Sequence, residues 1–202
     1  MNFSFIDEIL LKSAVRDLRE HARARGNSSY QIQRNFPIVK NMLSFIAGKV
    51  QNDNVHNDLL EQVSAVEKRI NLANAVLASN VAKMIPNKGT VAVESLTPHV
   101  IRSLLSASKN KSFTVSYTTA LPKAHQNILK RYFSTKEYAS ISKNKMFEKA
   151  DIVLNGPENK KSYVLATSWE ANKLFEGKII SEHGIQSAEQ LMNSAKSSFF
   201  LR

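Results

Sequence analysis

The apolar positions of this chain follow one rhythm in its first part and another in its second. Between Asn57 and Ile85, Leu59, Val63, Val66, Ile70, Ala73, Val76/Leu77, Val81 and Met84 recur every three or four residues. That is one apolar stripe on a helix of about eight turns, stopped by Pro86 and Gly89. Two helices are predicted before it. Residues 3–24 carry Phe5, Ile9, Leu10, Leu11, Val15 and Leu18 near one stripe, and a second helix with Ile38, Met42, Leu43, Phe45 and Ile46 begins near Pro37.

Past Pro86 the period changes. Thr90–Val93, Phe113–Tyr117, Tyr138–Ile141, Asp151–Leu154 and Tyr163–Thr167 read as short strands. Between them lie a helix capped by Thr97 with Pro98 in its first turn, a helix over Pro122–Phe133 and a brief basic helix around Lys143–Glu148. A last helix is predicted from Ser187 to Phe199. Strands alternating with helices imply right-handed crossovers and a parallel sheet. The fold class expected is α/β: a helical N-terminal domain over 1–88 and a small Rossmann-like parallel-sheet domain over 89–202, with the long helix packing against both.

Composition narrows the chemistry. There is no cysteine, so disulfides, thiolate metal sites and a cysteine nucleophile are excluded. The five histidines are scattered without helical ligand spacing, so no metal site is expected. The expected cofactor is likewise none. Apolar runs fall short of the ~20 residues needed to span a bilayer, and Asp7 and Glu8 stand where a signal peptide would carry positive charge; no membrane partner and a cytoplasmic location are expected.

The formal net charge is +11, and residues 102–149 hold ten Lys/Arg against Glu137 and Glu148. A basic patch of Arg102, Lys123, Lys130, Arg131, Lys143 and Lys145 would attract phosphate on a nucleotide, sugar or nucleic acid. The bland alternative is a solvated lysine-rich face. Cations interleaved with Tyr132 and Phe133 suit base stacking, but Phe133 also fits the inward stripe of its helix.

In open α/β sheets, ligands bind beyond the carboxyl ends of the strands. Three polar segments are predicted there: Glu94–Pro98, Thr118–Pro122 and Asn155–Asn159. Ser95, Thr97, Thr118, Thr119 and Asn155 are the candidate phosphate or ligand donors. Ordinary helix capping needs the same residue types. Asp151, opening a strand, has two readings, a general base or the partner of a neighbouring lysine such as Lys149. Trp169 reads as a half-buried anchor or a pocket wall. No G-x-G-x-x-G, Walker A, G-x-S-x-G or H-E-x-x-H pattern occurs.

The order of these segments carries a resemblance. Asn74–Ser95 delivers a strand from a long helix, Phe113–Tyr117 follows, then Ala150-Asp151-Ile152-Val153-Leu154-Asn155-Gly156 and Tyr163–Glu170. Over roughly residues 57–173 the chain resembles the alpha, beta and delta subunits of initiation factor two-B, a family that also contains ribose-1,5-bisphosphate isomerase and methylthioribose-1-phosphate isomerase. The resemblance implies a helical domain joined to a Rossmann-like domain, and dimers formed through the latter, hence a homodimer or a paralogous partner.

It also places Asp151 at the position of the isomerases' catalytic aspartate, and Glu94-Ser95 where they carry a catalytic cysteine. The family's phosphate-gripping arginine loop corresponds to Thr118–Pro122, which has none. Its asparagine-lysine-glycine run is missing, and the chain is shorter by about one strand–helix unit. A hydroxyl is a poor nucleophile without an activating base, so the reading leans away from an enzyme. The leading expectation is a non-catalytic binding or assembly protein of this kind, with affinity for a phosphorylated small molecule. The alternatives are a sugar-phosphate isomerase using Asp151 and Ser95, and a basic RNA- or ribosome-associated protein.

Overall fold

The structure, a computed structural model, describes residues 55–157, 160–171 and 177–200. The two helices expected before residue 55 lie outside the described residues. The long helix α1 spans Val55–Met84. Then follow β1 (Thr90–Val93), α2 (Pro98–Ser108), β2 (Thr114–Thr118), α3 (Lys123–Tyr132), β3 (Ser134–Tyr138), α4 (Lys143–Lys149), β4 (Ile152–Leu154), β5 (Ser162–Leu165), β6 (Ile179–Ser181), β7 (Gly184–Gln186) and α5 (Ala188–Phe200).

The strands form one sheet in the order β3-β2-β1-β4-β5-β6-β7. All pairs are parallel except β6–β7. After β1 the chain builds outward to β2 and β3, then returns across β1 to build β4, β5 and β6 on the other side. This doubly wound order leaves its seam between β1 and β4.

Side chains alternate across each strand, and both faces are covered. Val91, Val93, Val115 and Tyr117 meet Leu77 and Val81 of α1, Leu104 of α2 and Leu129 of α3 in one buried cluster. On the opposite face Ala92 and Val153 pack on Met146 and Phe147 of α4, while Ile179 packs with Leu191 and Ala195 of α5. Two covered faces explain why β1 and β4 read as unbroken apolar runs. Each fully buried Leu or Val contributes roughly 1.5–3 kcal/mol by leaving water.

The end of α1 shows how the loops at the amino ends of the strands are held. Lys111 Nζ donates to the carbonyls of Ala82 (2.7 Å), Lys83 (3.1 Å) and Ile85 (2.6 Å), satisfying acceptors that a helix end leaves open. Asn87 Oδ1 accepts the Ser112 N–H at 2.9 Å. The Thr97 side chain accepts the Val100 N–H, with Pro98 following, as the sequence predicts for the start of α2. Ser187 Oγ likewise accepts the Gln190 N–H at the start of α5.

Two expectations need correction. The third strand is Ser134–Tyr138, not Tyr138–Ile141. It is an edge strand whose Ser134, Lys136 and Glu137 are exposed, so it carries no apolar alternation to detect. Ser140–Ser142 is instead a 3-10 turn, with Ile141 96% exposed. The sequence reading also assigns no element to Ile179–Ser181 or Gly184–Gln186, which pair as an antiparallel hairpin at the far edge. Three-residue strands are shorter than any periodic window can resolve.

Gly89 tests the join between α1 and β1. A Cβ there would clash with the Pro86 ring and sit 3.0 Å from Asp151 Oδ2 and 3.1 Å from the Pro86 carbonyl. Gly89→Ala is expected to lower stability by about 1–3 kcal/mol, read as a lower urea midpoint with an unchanged m-value.

Candidate functional site

The carboxyl ends of β1, β2, β4, β5 and β6 bring five loops to one rim. At the seam, Asn155 follows β4 with φ 51°, a left-handed conformation that asparagine tolerates better than most residues. Its Oδ1 accepts the Leu165 N–H at 3.0 Å and its Nδ2 donates to Thr97 Oγ1 at 3.1 Å. Thr97 Oγ1 also accepts from the Val100 N–H at 3.4 Å. Asn155 therefore ties the exits of β1, β4 and β5 together, and it fits the αL position because a short amide can satisfy its neighbours there.

Beside this clasp sits a pair that the sequence reading does not single out. His99 Nε2 lies 2.9 and 2.7 Å from the two carboxylate oxygens of Glu170. Glu170 Oε2 also accepts the Thr167 N–H at 2.8 Å and the Thr167 hydroxyl at 3.0 Å. Thr167 and Glu170 form a capping box around a 3-10 turn. Burial pushes the Glu170 carboxyl up, but the His99 hydrogen bond and charge and the Thr167 donors outweigh it and hold it below its usual 4.5. His99 Nδ1 is buried without a partner among the described residues.

The next loop is closed in the same way. Glu182, after β6, accepts the Ser168 N–H at 3.0 and 3.1 Å and also the Ser168 hydroxyl. Asn80 of α1 donates to the carbonyls of Ser181 (3.0 Å) and Glu182 (3.3 Å). Trp169 is buried, more deeply than a half-buried anchor.

The candidate donors divide. Ser95 is exposed at the rim, Thr97 is spent on the cap and on Asn155, and Thr118 is buried. Thr119 Oγ1 lies 2.9 Å from Ser140 Oγ and accepts the Ser140 N–H at 3.2 Å. Glu94 is ion-paired with Lys143.

Asp151 is not at this rim. It precedes β4, at the opposite end of the sheet, and its Oδ2 accepts the Thr90 N–H at 2.8 Å. Asn155 is four steps further along the chain, about 13 Å at ~3.3 Å per residue. Asp151 and Ser95 therefore lie at opposite ends of the sheet.

The expected basic patch also divides. Lys123 opens α3 at the carboxyl-end rim, 3.3 Å from Gln126 Oε1. Lys130 pairs with Glu137 at 2.9 Å, which holds the Glu137 carboxyl below its usual range. Arg131 lies at the other end of α3, 5.6 Å from the ring centroid of Tyr132. Arg102 is half-buried on α2, and Lys145 is exposed on α4. Among the described residues no cluster of three His, Asp or Glu side chains could hold a metal ion, and no helix is long and apolar enough to cross a membrane.

This doubly wound sheet, with a long helix leading into its central strand, recurs in solved structures. The translation initiation factor eIF-2B of Pyrococcus horikoshii OT3 matches with a TM-score of 0.61 at 18% identity, over 88% of this chain and 83% of that one. The fold is that of the eIF2B subunits. The beta subunit of eIF2B from Chaetomium thermophilum matches with a TM-score of 0.62 at 15% identity, over 99% and 82% of the two chains. The tetrameric eIF2B beta2-delta2 complex of that organism matches with a TM-score of 0.59 at 16% identity, over 95% and 81%. By sequence, no family model and no curated protein matches the chain. The eIF2B-like fold agrees with the resemblance drawn from residues 57–173.

Two outcomes test the rim. Asn155→Gly keeps the backbone conformation but loses both side-chain hydrogen bonds, and should cost about 1–3 kcal/mol; Asn155→Ala should cost roughly 1 kcal/mol more, because alanine is strained at φ 51°. Chemical denaturation of both variants checks the order. A carboxyl depressed on folding contributes stability above its unfolded value, here 4.5, that fades as pH falls through the lower folded value. The urea-midpoint gap between wild type and Glu170→Gln should thus be full at pH 6–7 and shrink on acidification below about 4.5.

Proposed function

We propose that this chain is a non-catalytic, cytoplasmic protein of the initiation factor two-B kind that works by binding and assembly, as a homodimer or with a paralogous subunit. The observation that carries this reading is the state of the carboxyl-end rim. Thr97, Thr119 and Asn155 are consumed by hydrogen bonds between loops. Glu94, Glu170 and Glu182 are bound to Lys143, His99 and Ser168. A site built for chemistry keeps donors aimed at the reacting atoms; here they are aimed at one another.

The chain also has no cysteine to serve as a thiolate nucleophile, and Asp151 stands at the wrong end of its strand to assist Ser95. Among the described residues, Glu94, Glu170 and Glu182 stand at this rim and Lys143 and His99 are taken up in pairs with two of them, which disfavours a phosphorylated ligand. Ser95 and the His99 N–H at the start of α2 are the contacts such a ligand would use.

The partner follows from the neighbours. One of them is a tetrameric complex of two subunit types, and an eIF2B-like fold in this chain supports association with a second chain of similar fold. The link to translation initiation rests on the names of those proteins and on the resemblance of residues 57–173.

Sedimentation of the full chain at micromolar concentration is expected to give a particle of at least twice 22.6 kDa. A monomer alone, with no paralogous chain recovered on purification from its own cells, would overturn the assembly reading. Ribose-1,5-bisphosphate supplied in excess is expected to remain unconverted. Turnover abolished by Ser95→Ala would establish an isomerase instead.

A further inference from the structure

The two ends of the sheet differ in charge. At the carboxyl ends Glu94, Glu170 and Glu182 face Lys143 and His99 in paired contacts. The loops entering the amino ends are cationic, strand after strand. Arg131 precedes β3, Lys109 and Lys111 precede β2, Lys88 precedes β1, Lys149 precedes β4, Lys160 and Lys161 precede β5, and Lys178 precedes β6. Lys83 closes α1 on the same side.

Part of this charge has a structural use. Helices α1 to α4 all end here, and a helix C-terminus presents unsatisfied carbonyls and a partial negative charge. Lys111 takes three carbonyls at the end of α1. Lys161 donates to the Ala150 carbonyl after α4 at 2.9 Å, and Lys178 to the Lys160 carbonyl at 3.1 Å.

Six further cations make none of these carbonyl bonds, although Lys83, Arg131 and Lys149 stand in the last turns of α1, α3 and α4. Lys83, Lys88, Lys109, Arg131, Lys149 and Lys160 are all exposed, and none forms an ion pair among the described residues. The described acids on this side are Glu148, Asp151 and Glu189, and Asp151 already accepts the Thr90 N–H.

We propose that this amino-end rim is a nucleic-acid-binding surface, and that its ligand is single-stranded RNA. One of these cations precedes each of five adjacent strands, β3, β2, β1, β4 and β5. At ~4.8 Å between strands they span about 19 Å. That is one positive charge per ~4.8 Å, a spacing of the same order as that of a phosphate backbone, which carries one charge per ~3.4 Å of axis per strand.

At one end of the line Tyr132 is 57% exposed with the Arg131 guanidinium 5.6 Å from its ring centroid. An exposed aromatic plane backed by arginine is a platform on which a base stacks. The stacking platform favours an unpaired strand over a duplex, an acidic peptide or an anionic bilayer, none of which offers free bases. The surface is not the 102–149 segment as a whole: it takes Lys83, Lys88 and Lys160 from outside it and leaves out Lys123, Lys143 and Lys145.

The test is fluorescence anisotropy of a labelled 20-nucleotide oligouridylate with the full chain, from 50 to 200 mM salt. Five or six phosphate contacts predict that log affinity falls against log salt with a slope near −4, at ~0.7 per phosphate. The triple variant Lys88→Gln, Lys109→Gln, Lys149→Gln should lose at least about tenfold in affinity and reduce the slope by roughly 2. A triple variant with the same change in net charge elsewhere, Lys123→Gln, Lys136→Gln, Lys145→Gln, should stay within about twofold of wild type. Tyr132→Ala should weaken binding by roughly fivefold with the slope unchanged.

Equal losses from the two triple variants would mean diffuse charge and sink the surface assignment. So would no binding at 50 mM salt. Rim-dependent binding to phosphatidylserine vesicles or polyglutamate without binding to the oligouridylate would assign the rim to another partner. An unchanged affinity in Tyr132→Ala would remove the single-strand assignment.

Discussion

The reversal of strand order between β1 and β4 is the constraint on which the rest of the molecule depends. At that seam the connections diverge to either side, and a sheet without something across it would have an open crevice. Asn155 stands at that seam with a left-handed backbone and two side-chain hydrogen bonds, one to the α2 cap and one to the end of β5. The adjacent loops repeat the pattern, with Glu170 on His99 and Thr167 and with Glu182 on Ser168. The rim is organised as a set of ties between connections, which favours rigidity of that end of the sheet over openness.

Charge distribution follows from the same winding. Parallel strands joined by helices place every helix start of α2, α3 and α4 at one end and every helix finish at the other. The described acids at the first end are held by partners within hydrogen-bond reach. Lysines at the second end compensate the helix termini, and further cations stand beside them. The polarity of the molecule is thus a product of topology and of where short loops fall, and it does not coincide with any single stretch of sequence.

Much of the architecture was legible because it is written in periodicity. The stripe from Leu59 to Met84 gives α1, the apolar runs at Thr90–Val93 and Ile152–Leu154 give β1 and β4, and Thr97-Pro98 gives the start of α2. What escaped has physical reasons. β3 is polar because one of its edges meets water, and β6 and β7 are three residues each. Asp151 was legible as a strand-opening residue, yet its resemblance to a catalytic position concealed the simpler fact that a strand's first residue lies at the end away from the ligand rim. Thr167-x-x-Glu170 has capping-box spacing and could have been found from that signal. Nothing local announces the contacts of Glu182 with Ser168 or of His99 with Glu170, since each joins loops that only the sheet order brings together.

The two borders of the sheet have a bearing on how the molecule can meet its own kind. On one side β3 lines its free edge with Lys136 and Glu137, and on the other β7 is a stub beginning at Gly184. Charged or truncated borders do not template a further strand. Among the described residues, both borders of the sheet thus disfavour its continuation from one copy into the next, and with it the open-ended stacking that leads to fibres.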